Sequence, residues 1–294
     1  MTGDRIVRAT AAKGMVRGFF ADTTETAGEA ARIHNLTPAA AAALGRTLTA
    51  TAILSKMLKS KKASITIQIT GGGPIGKIIA AADSHANVRG YVENPDVVTL
   101  FTEDNKIDVG SAVGRKGRLT VMEDLGLKTP YIGSVELISG EIAEDFAGYF
   151  AISEQTPSVV ALGVLVDTDL SIKRSGGYII QLLPEAGEDT IVYFEDILKG
   201  IDPVTKLLEE EGSPEKVCDL ILGGTGYTIT EKYPVRYMCT CSAKRMKENI
   251  FALGKKDLQE ILNDGKDIET VCHFCRKRHV FDAGSMKRQI EKYK

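Results

Sequence analysis

Four of the chain's five cysteines fall in two tight knots, Cys239-Thr-Cys241 and Cys272-His-Phe-Cys275, with a thirty-residue insert between them. Cysteine pairs of this spacing, bracketing a short insert, can place four thiolates about 2.3 Å from one tetrahedral zinc ion. Each pair can also close on itself as a small-ring disulfide once the metal is lost, and C-x-x-C is the ring that thiol-redox proteins use. Cys239, Cys241, Cys272 and Cys275 are therefore read as zinc ligands, one zinc per chain, with a second, oxidative chemistry available to the same sulfurs. Four sulfur ligands leave no open position for a reactive water, and no thioredoxin-like βαβ frame surrounds Cys272 and Cys275, so neither a zinc hydrolase nor a thiol oxidoreductase is expected. His273 and His279 are weaker substitutes, because the four cysteines already close the shell. Cys218, in KVCDLIL, lies on an apolar helical pattern and is read as a small buried hydrophobe.

The charge pattern sets these knots in context. Residues 1–184 carry 19 basic and 19 acidic side chains, residues 185–230 carry 3 and 11, and residues 231–294 carry 15 and 9. The expected organisation is a neutral body (1–184), an acidic helical connector (185–230) and a basic zinc module (231–294). Arg236, Lys244, Arg245, Arg276, Lys277 and Arg278 surround the knots and offset the double negative charge of a zinc–tetrathiolate centre. Arg276-Lys277-Arg278 could also grip phosphates as zinc ribbons do, but nucleic acid is the lesser reading. So small a module cannot rely on its core, whereas structural zinc supplies roughly 10–16 kcal/mol of apparent binding energy to folding. Loss of the metal should unfold it. Acidic connector and basic module invite contact, with Ile197, Leu198, Leu207, Leu208, Leu220 and Ile221 carrying the apolar part of the docking.

The elements that must position the knots follow from periodicity and punctuation. Strands are expected near Ile6–Arg8, in MVRGFFADT (15–23), in the alternating ITIQIT (65–70), and at Val88–Val92, Arg118–Met122, Gly133–Leu137 and Val159–Val166. Thr37 as N-cap and Pro38 at the first helical position open an Ala- and Leu-rich helix through residue 60, and Glu141–Phe150 is a second helix. Runs of strands with two helices make the body α+β. In the connector, YFEDILKGI and DPVTKLLEEEGSPEKVCDLILGG are helical, broken at Gly212-Ser213-Pro214 and stopped at Gly223-Gly224. DLQEILND, closed by Gly265, is a helix between the knots.

One stretch imitates a phosphate loop. Gly71-Gly-Gly-Pro-Ile-Gly-Lys77 matches seven places of G-x-x-x-x-G-K-[ST], but the eighth is Ile78, which cannot ligate magnesium, and Pro74 lacks an N–H. The loop is read as a hairpin turn into a second strand, with glycine supplying positive φ. With 43% hydrophobic and 26% charged residues, and with no apolar stretch near membrane length or signal-peptide form, the chain is expected to be a globular cytosolic protein. In a reducing compartment its clustered cysteines are expected to be ligands or sensors.

EKYPVRYMCTCSAKRMKENIFALGKKDLQEIL followed by DIETVCHFCRKRHVF resembles the zinc module of the heat shock protein 33 family, the redox-regulated cytosolic chaperones. ITIQITGGGPIG, YFAISEQTPS and SGGYIIQLLPEA are similar to that family's N-terminal domain, so the resemblance covers nearly the whole chain. His279 departs from the pattern, since an aromatic tyrosine is common there. The resemblance implies an ATP-independent holdase, not an enzyme, which binds unfolding client proteins and is held inactive by zinc under reducing conditions. It further implies that oxidants with unfolding stress pair Cys239 with Cys241 and Cys272 with Cys275, that zinc is released, and that the active form is a homodimer.

Overall fold

A computed structural model of the chain describes residues 3–184, 186–253, 255–263 and 265–290. Contacts divide the chain into two compact units, Met1–Met238 and Cys239–Lys294. The first unit opens with strands β1 (Arg5–Ala11) and β2 (Val16–Asp22), then helices α1 (Thr24–His34) and α2 (Pro38–Met57). Strands β3 (Ser64–Thr70), β4 (Lys77–Asp83) and β5 (Asn87–Val92), helix α3 (Val109–Val113), and strands β6 (Arg118–Asp124) and β7 (Tyr131–Glu136) follow. Helix α4 (Ala143–Ile152) and strands β8 (Ser158–Val166) and β9 (Ile172–Leu182) lead to helices α5 (Glu188–Lys199), α6 (Val204–Glu211) and α7 (Pro214–Leu222), and the unit ends on strands β10 (Thr228–Pro234) and β11 (Arg236–Tyr237).

Two sheets organise this unit: a five-stranded one in the order β10-β1-β2-β9-β8 and a six-stranded one in the order β11-β5-β4-β3-β6-β7. Helix α2 packs against strands of both. Its composition explains how: five alanines in its first turns, with Gly45 behind them, make a narrow rod that is buried on nearly every side. Three threonines are buried along it, which would strand hydroxyls in an apolar layer, but Thr47, Thr49 and Thr51 each donate to the carbonyl four residues back, at 2.7–2.9 Å. Thr37 sits at the N-cap, yet its hydroxyl donates to Pro95 O at 3.2 Å instead of capping the helix. The expected body is α+β, as observed, but it also contains α1 and α3, so two helices was too few.

The glycine loop between β3 and β4 is a hairpin connection, as its sequence suggests, with Thr70 opposite Lys77. Gly72 and Gly76 take positive φ, and the N–H groups of Gly73 and Ile75 donate to Val113 O and Ala112 O. Those donors are spent inside the protein, which leaves no cradle for a phosphate.

The connector helices cover the outer face of the five-stranded sheet. Leu207, Leu208 and Ile221 are buried there with Phe194, Val217 and Cys218, against Val7, Val16, Phe20, Tyr178 and Ile180 of the strands. This corrects the expected docking onto the basic module, since the surface the connector packs on is this sheet; Ile197 and Leu198 are half-buried, and Leu220 is 52% exposed and takes no part. Connector acids are also answered within this unit: Glu215 by Arg5 at 2.7 Å and Lys232 at 3.0 Å, and Glu209 by Lys173 at 2.7 Å. The border between units falls after Met238, eight residues beyond the charge border, because β10 pairs antiparallel with β1 and β11 runs parallel to β5.

Candidate metal centre

The second unit comprises helices α8 (Ala243–Phe251) and α9 (Lys255–Asn263), the hairpin β12 (Ile268–Val271) and β13 (Arg278–Phe281), and helix α10 (Ala283–Ile290). Its buried cluster is Ile250, Leu258, Leu262, Ile268, Ala283 and Met286. The amphipathic helix expected between the knots is α9, and α8 was not foreseen.

Local structure brings the knots together. Cys239 follows the segment in which Met238 N–H donates to Val88 O, so the chain enters the first knot from an anchored strand. After Cys241, Ser242 caps α8 by accepting from Arg245 N–H at 3.3 Å, which ends the extended C-x-C segment at once. The second knot is the turn of the β12–β13 hairpin. There Arg276 N–H donates to Cys272 O and Cys272 N–H to Lys277 O, and Arg276 adopts the left-handed conformation at φ +57°.

The four sulfurs lie within 4.8 Å of one another. Contacts between the knots are 3.7 Å for Cys239 with Cys272 and 3.4 Å for Cys241 with Cys275. A tetrahedron with metal–sulfur bonds of about 2.3 Å has edges of ~3.8 Å, so the arrangement fits a zinc ion, while a disulfide needs about 2.05 Å. Cys272 is buried and the other three are half-buried. Residues from both knots are therefore needed to complete one ligand set.

The electrostatics of the sulfurs differ. Burial pushes the Cys239 thiol up to about 11, despite a hydrogen bond from Cys241 N–H, and burial likewise raises Cys241. Burial acts in the same sense on Cys272, but the N–H groups of Cys275 and Phe274, with donation from Cys239 and Cys275, outweigh it and lower that thiol. A bound dication would favour the thiolate at every position.

Of the expected accessory cations, Arg245 donates to Thr240 Oγ1 at 3.1 Å, between the two cysteines of the first knot, and Arg278 pairs with Glu269 across the hairpin. Arg236 belongs to β11 in the first unit. His279 is buried with Nε2 3.8 Å from Cys241 Sγ, so the departure from the tyrosine pattern places an imidazole against a ligand sulfur. The cluster whose ligand atoms converge is made of the four cysteines. Cys218 lies in the first unit, fully buried, its thiol pushed up to about 12 by burial first and then by Asp219 and Glu215. Sequence reasoning missed the backbone donors of the second knot and the capping role of Ser242, although a serine directly after C-x-C was a readable signal for the cap.

Comparison with known proteins shows the family to which the chain belongs. The model of the Hsp33 protein family matches residues 4–282. The 33 kDa chaperonin of Ruminiclostridium cellulolyticum is 49% identical over 279 residues, covering 95% of each chain. That of Alkaliphilus oremlandii is 48% identical over 277 residues, covering 94% of this chain and 93% of its own. The crystal structure of the 33 kDa chaperonin (heat shock protein 33 homolog) from Thermotoga maritima matches with a TM-score of 0.90 at 36% identity, covering 98% of each chain.

Proposed function

The chain belongs to the Hsp33 family of chaperones, and on that premise we propose that it is a redox-regulated, ATP-independent holdase, activated when its two cysteine pairs oxidise and zinc is released. The observation that carries this reading is the convergence of Cys239, Cys241, Cys272 and Cys275 in a unit whose own apolar core is small. When bound, zinc would supply the cross-link that such a core lacks and hold all four sulfurs as thiolates.

Oxidation by peroxide proceeds in two displacements. One thiolate attacks a peroxide oxygen, giving a sulfenic acid and hydroxide; the neighbouring thiolate then attacks that sulfur, forming the disulfide and releasing the second hydroxide. Cys272 and Cys275 pair first, because their ring has one more residue of slack than that of Cys239 and Cys241. Two remaining thiolates cannot hold the ion, and Cys239 and Cys241 pair once the second unit unfolds. The response therefore needs unfolding stress as well as oxidant.

Clients would be unfolding proteins in the cytoplasm, bound by a homodimer. Support for a latent client surface comes from the first unit, where the connector helices cover Val7, Val16, Phe20, Tyr178 and Ile180. Loosening of the connector helices would uncover that face. No helix among the described residues is long and apolar enough to cross a membrane.

The test compares reduced, zinc-loaded protein with peroxide-oxidised protein in suppressing the aggregation of a heat-denatured client. Suppression by the oxidised form alone is expected, with disulfides mapped to the two knots and zinc release tracking the first of them. Full activity in the reduced form, or oxidation mapped to Cys218, would overturn the proposal.

A further inference from the structure

In the first unit a cavity of about 340 Å³ opens where the end of α2 meets β1, β2 and β10. Arg8, Arg17, Lys56, Lys59 and Lys61 line it, against one carboxylate, Glu231. Five cations facing one anion across a concavity repel one another and focus a positive field into it.

The arginines are the informative members. Among the described residues no carboxylate answers Arg17: its Nε and Nη2 both donate to the neutral Oε1 of Gln181, at 3.2 and 2.5 Å. Gln181 is itself buried and fixed by donating to Ser158 Oγ at 3.1 Å. Burial, and then the adjacent Arg8 charge, push the Arg17 guanidinium below its ordinary value. Arg8 pairs with Glu231 at 2.6 Å, but its Nε is buried without an acceptor among the described residues. The two guanidinium carbons lie 5.8 and 5.9 Å from the centre of the same ring, Phe19, so one aromatic side chain holds two like charges as neighbours. Lys56 is held in turn, its ammonium 4.0 Å from the centre of the Tyr233 ring and donating to Ser84 O at 2.6 Å. These cations are positioned, not merely solvated.

We propose that this cavity binds a compact oligophosphate, with Arg8, Arg17 and Lys56 as its fixed cations and Lys59 and Lys61 at its mouth. Guanidinium forks and lysine point charges together suit a tetrahedral oxyanion with several charges. The excess of cations matches two or three linked phosphates better than a single carboxylate. Because both arginines are gathered at the Phe19 ring, the phosphates are the recognised part of the ligand, and no nucleobase is required. Glu231 and Tyr233 bring β10 into the wall, so the ligand would tie that strand to β1, β2 and the end of α2.

The experiment uses the full reduced chain and inorganic tripolyphosphate, followed by titration calorimetry and by amide exchange. One tripolyphosphate per chain is expected, with slower exchange in Thr228–Pro234. Arg17→Gln, and separately the exposed double variant Lys59→Gln/Lys61→Gln, should each weaken binding by at least about tenfold, the scale of one lost charge-assisted hydrogen bond. Lys77→Gln/Lys116→Gln, which removes two cations outside the cavity, should bind as the parent does. The double variant at the mouth keeps the test usable if Arg17→Gln misfolds. Absence of binding, an equal loss in the Lys77/Lys116 variant, or unchanged binding in natively folded cavity variants would overturn the site.

Discussion

The two units of this chain are stabilised in different ways. In the first, a large apolar layer packs around α2, and a second layer forms between the five-stranded sheet and the connector helices. In the second, the buried cluster among the described residues consists of six side chains beside a hairpin of four-residue strands. A unit of that size is marginal on apolar burial alone, and a cross-link through its sulfurs, as a bound metal would supply, is what could make up the difference. The contrast teaches that this chain places its oxidisable groups where its structure is least able to tolerate their loss.

Metal removal should break the comparison most strongly. Chelation of the reduced protein, or Cys272→Ser, should abolish amide protection across 239–290 while the strands of the first unit keep theirs, since structural zinc is worth roughly 10–16 kcal/mol of apparent binding energy. A second unit that stayed protected after chelation would stand on the same footing as the first. Next in size is Leu208→Ala, which empties a buried position on the face of α6 that packs against the sheet. It should destabilise the first unit by about 2–5 kcal/mol in urea melts and leave zinc content at one per chain. If zinc content fell with it, the two units would not be separable.

A smaller effect is expected at Glu215. Burial raises its carboxyl, but hydrogen bonds from Arg5 and Lys232 prevail and hold it at about 2, below the ordinary 4.5. A carboxylate lowered on folding stabilises the protein above its unfolded value and loses that contribution as pH falls through 4.5 toward 2. Glu215→Gln should therefore be less stable than the parent near neutral pH, by about 1 kcal/mol given its partial exposure, and the gap should close on acidification. A gap independent of pH would assign Glu215 to packing. Smallest of all should be Lys173→Ala: its pair with Glu209 is exposed on both sides, so the urea midpoint should not move measurably, and a clear shift would show that the pair belongs to a larger network.

How much could be read from the chain itself differs between elements for physical reasons. β3 was legible because apolar and polar residues alternate along SITIQIT, and α2 because Thr37 and Pro38 open an Ala- and Leu-rich run. The connector helices were legible by their punctuation, Ser213 capping α7 where the break was expected. Helix α1 was not, because its N-terminal donors are satisfied from a distance: Asp4 accepts from Glu25 N–H at 3.0 Å and Thr26 N–H at 2.6 Å. β9 was hidden by Gly176 and Gly177, which look like a turn but sit mid-strand, where a side chain would strike Ala21 O and Ala161 O of the neighbouring strands. β10 was hidden by its polarity, since an edge strand needs only one apolar contact surface. For the candidate metal centre, the four cysteines that converge were legible from spacing alone, while the placement of His279 and the backbone donors at Cys272 required the hairpin.

The pairing of β1 with β10 joins Arg5 to Pro234. A ribosome therefore completes the first strand of the five-stranded sheet long before it makes that strand's outer neighbour, roughly 10–45 s later at about 5–20 residues per second. Throughout that interval one edge of β1 in the nascent chain is open to pairing with any other extended segment. Arg5 and Arg8 lie on that strand and, as charges on a bare edge, discourage such pairing. When the C-terminal part arrives, the same two side chains become the ion-pair partners of Glu215 and Glu231, so the groups that guard the unfinished edge are the ones that recognise its proper completion.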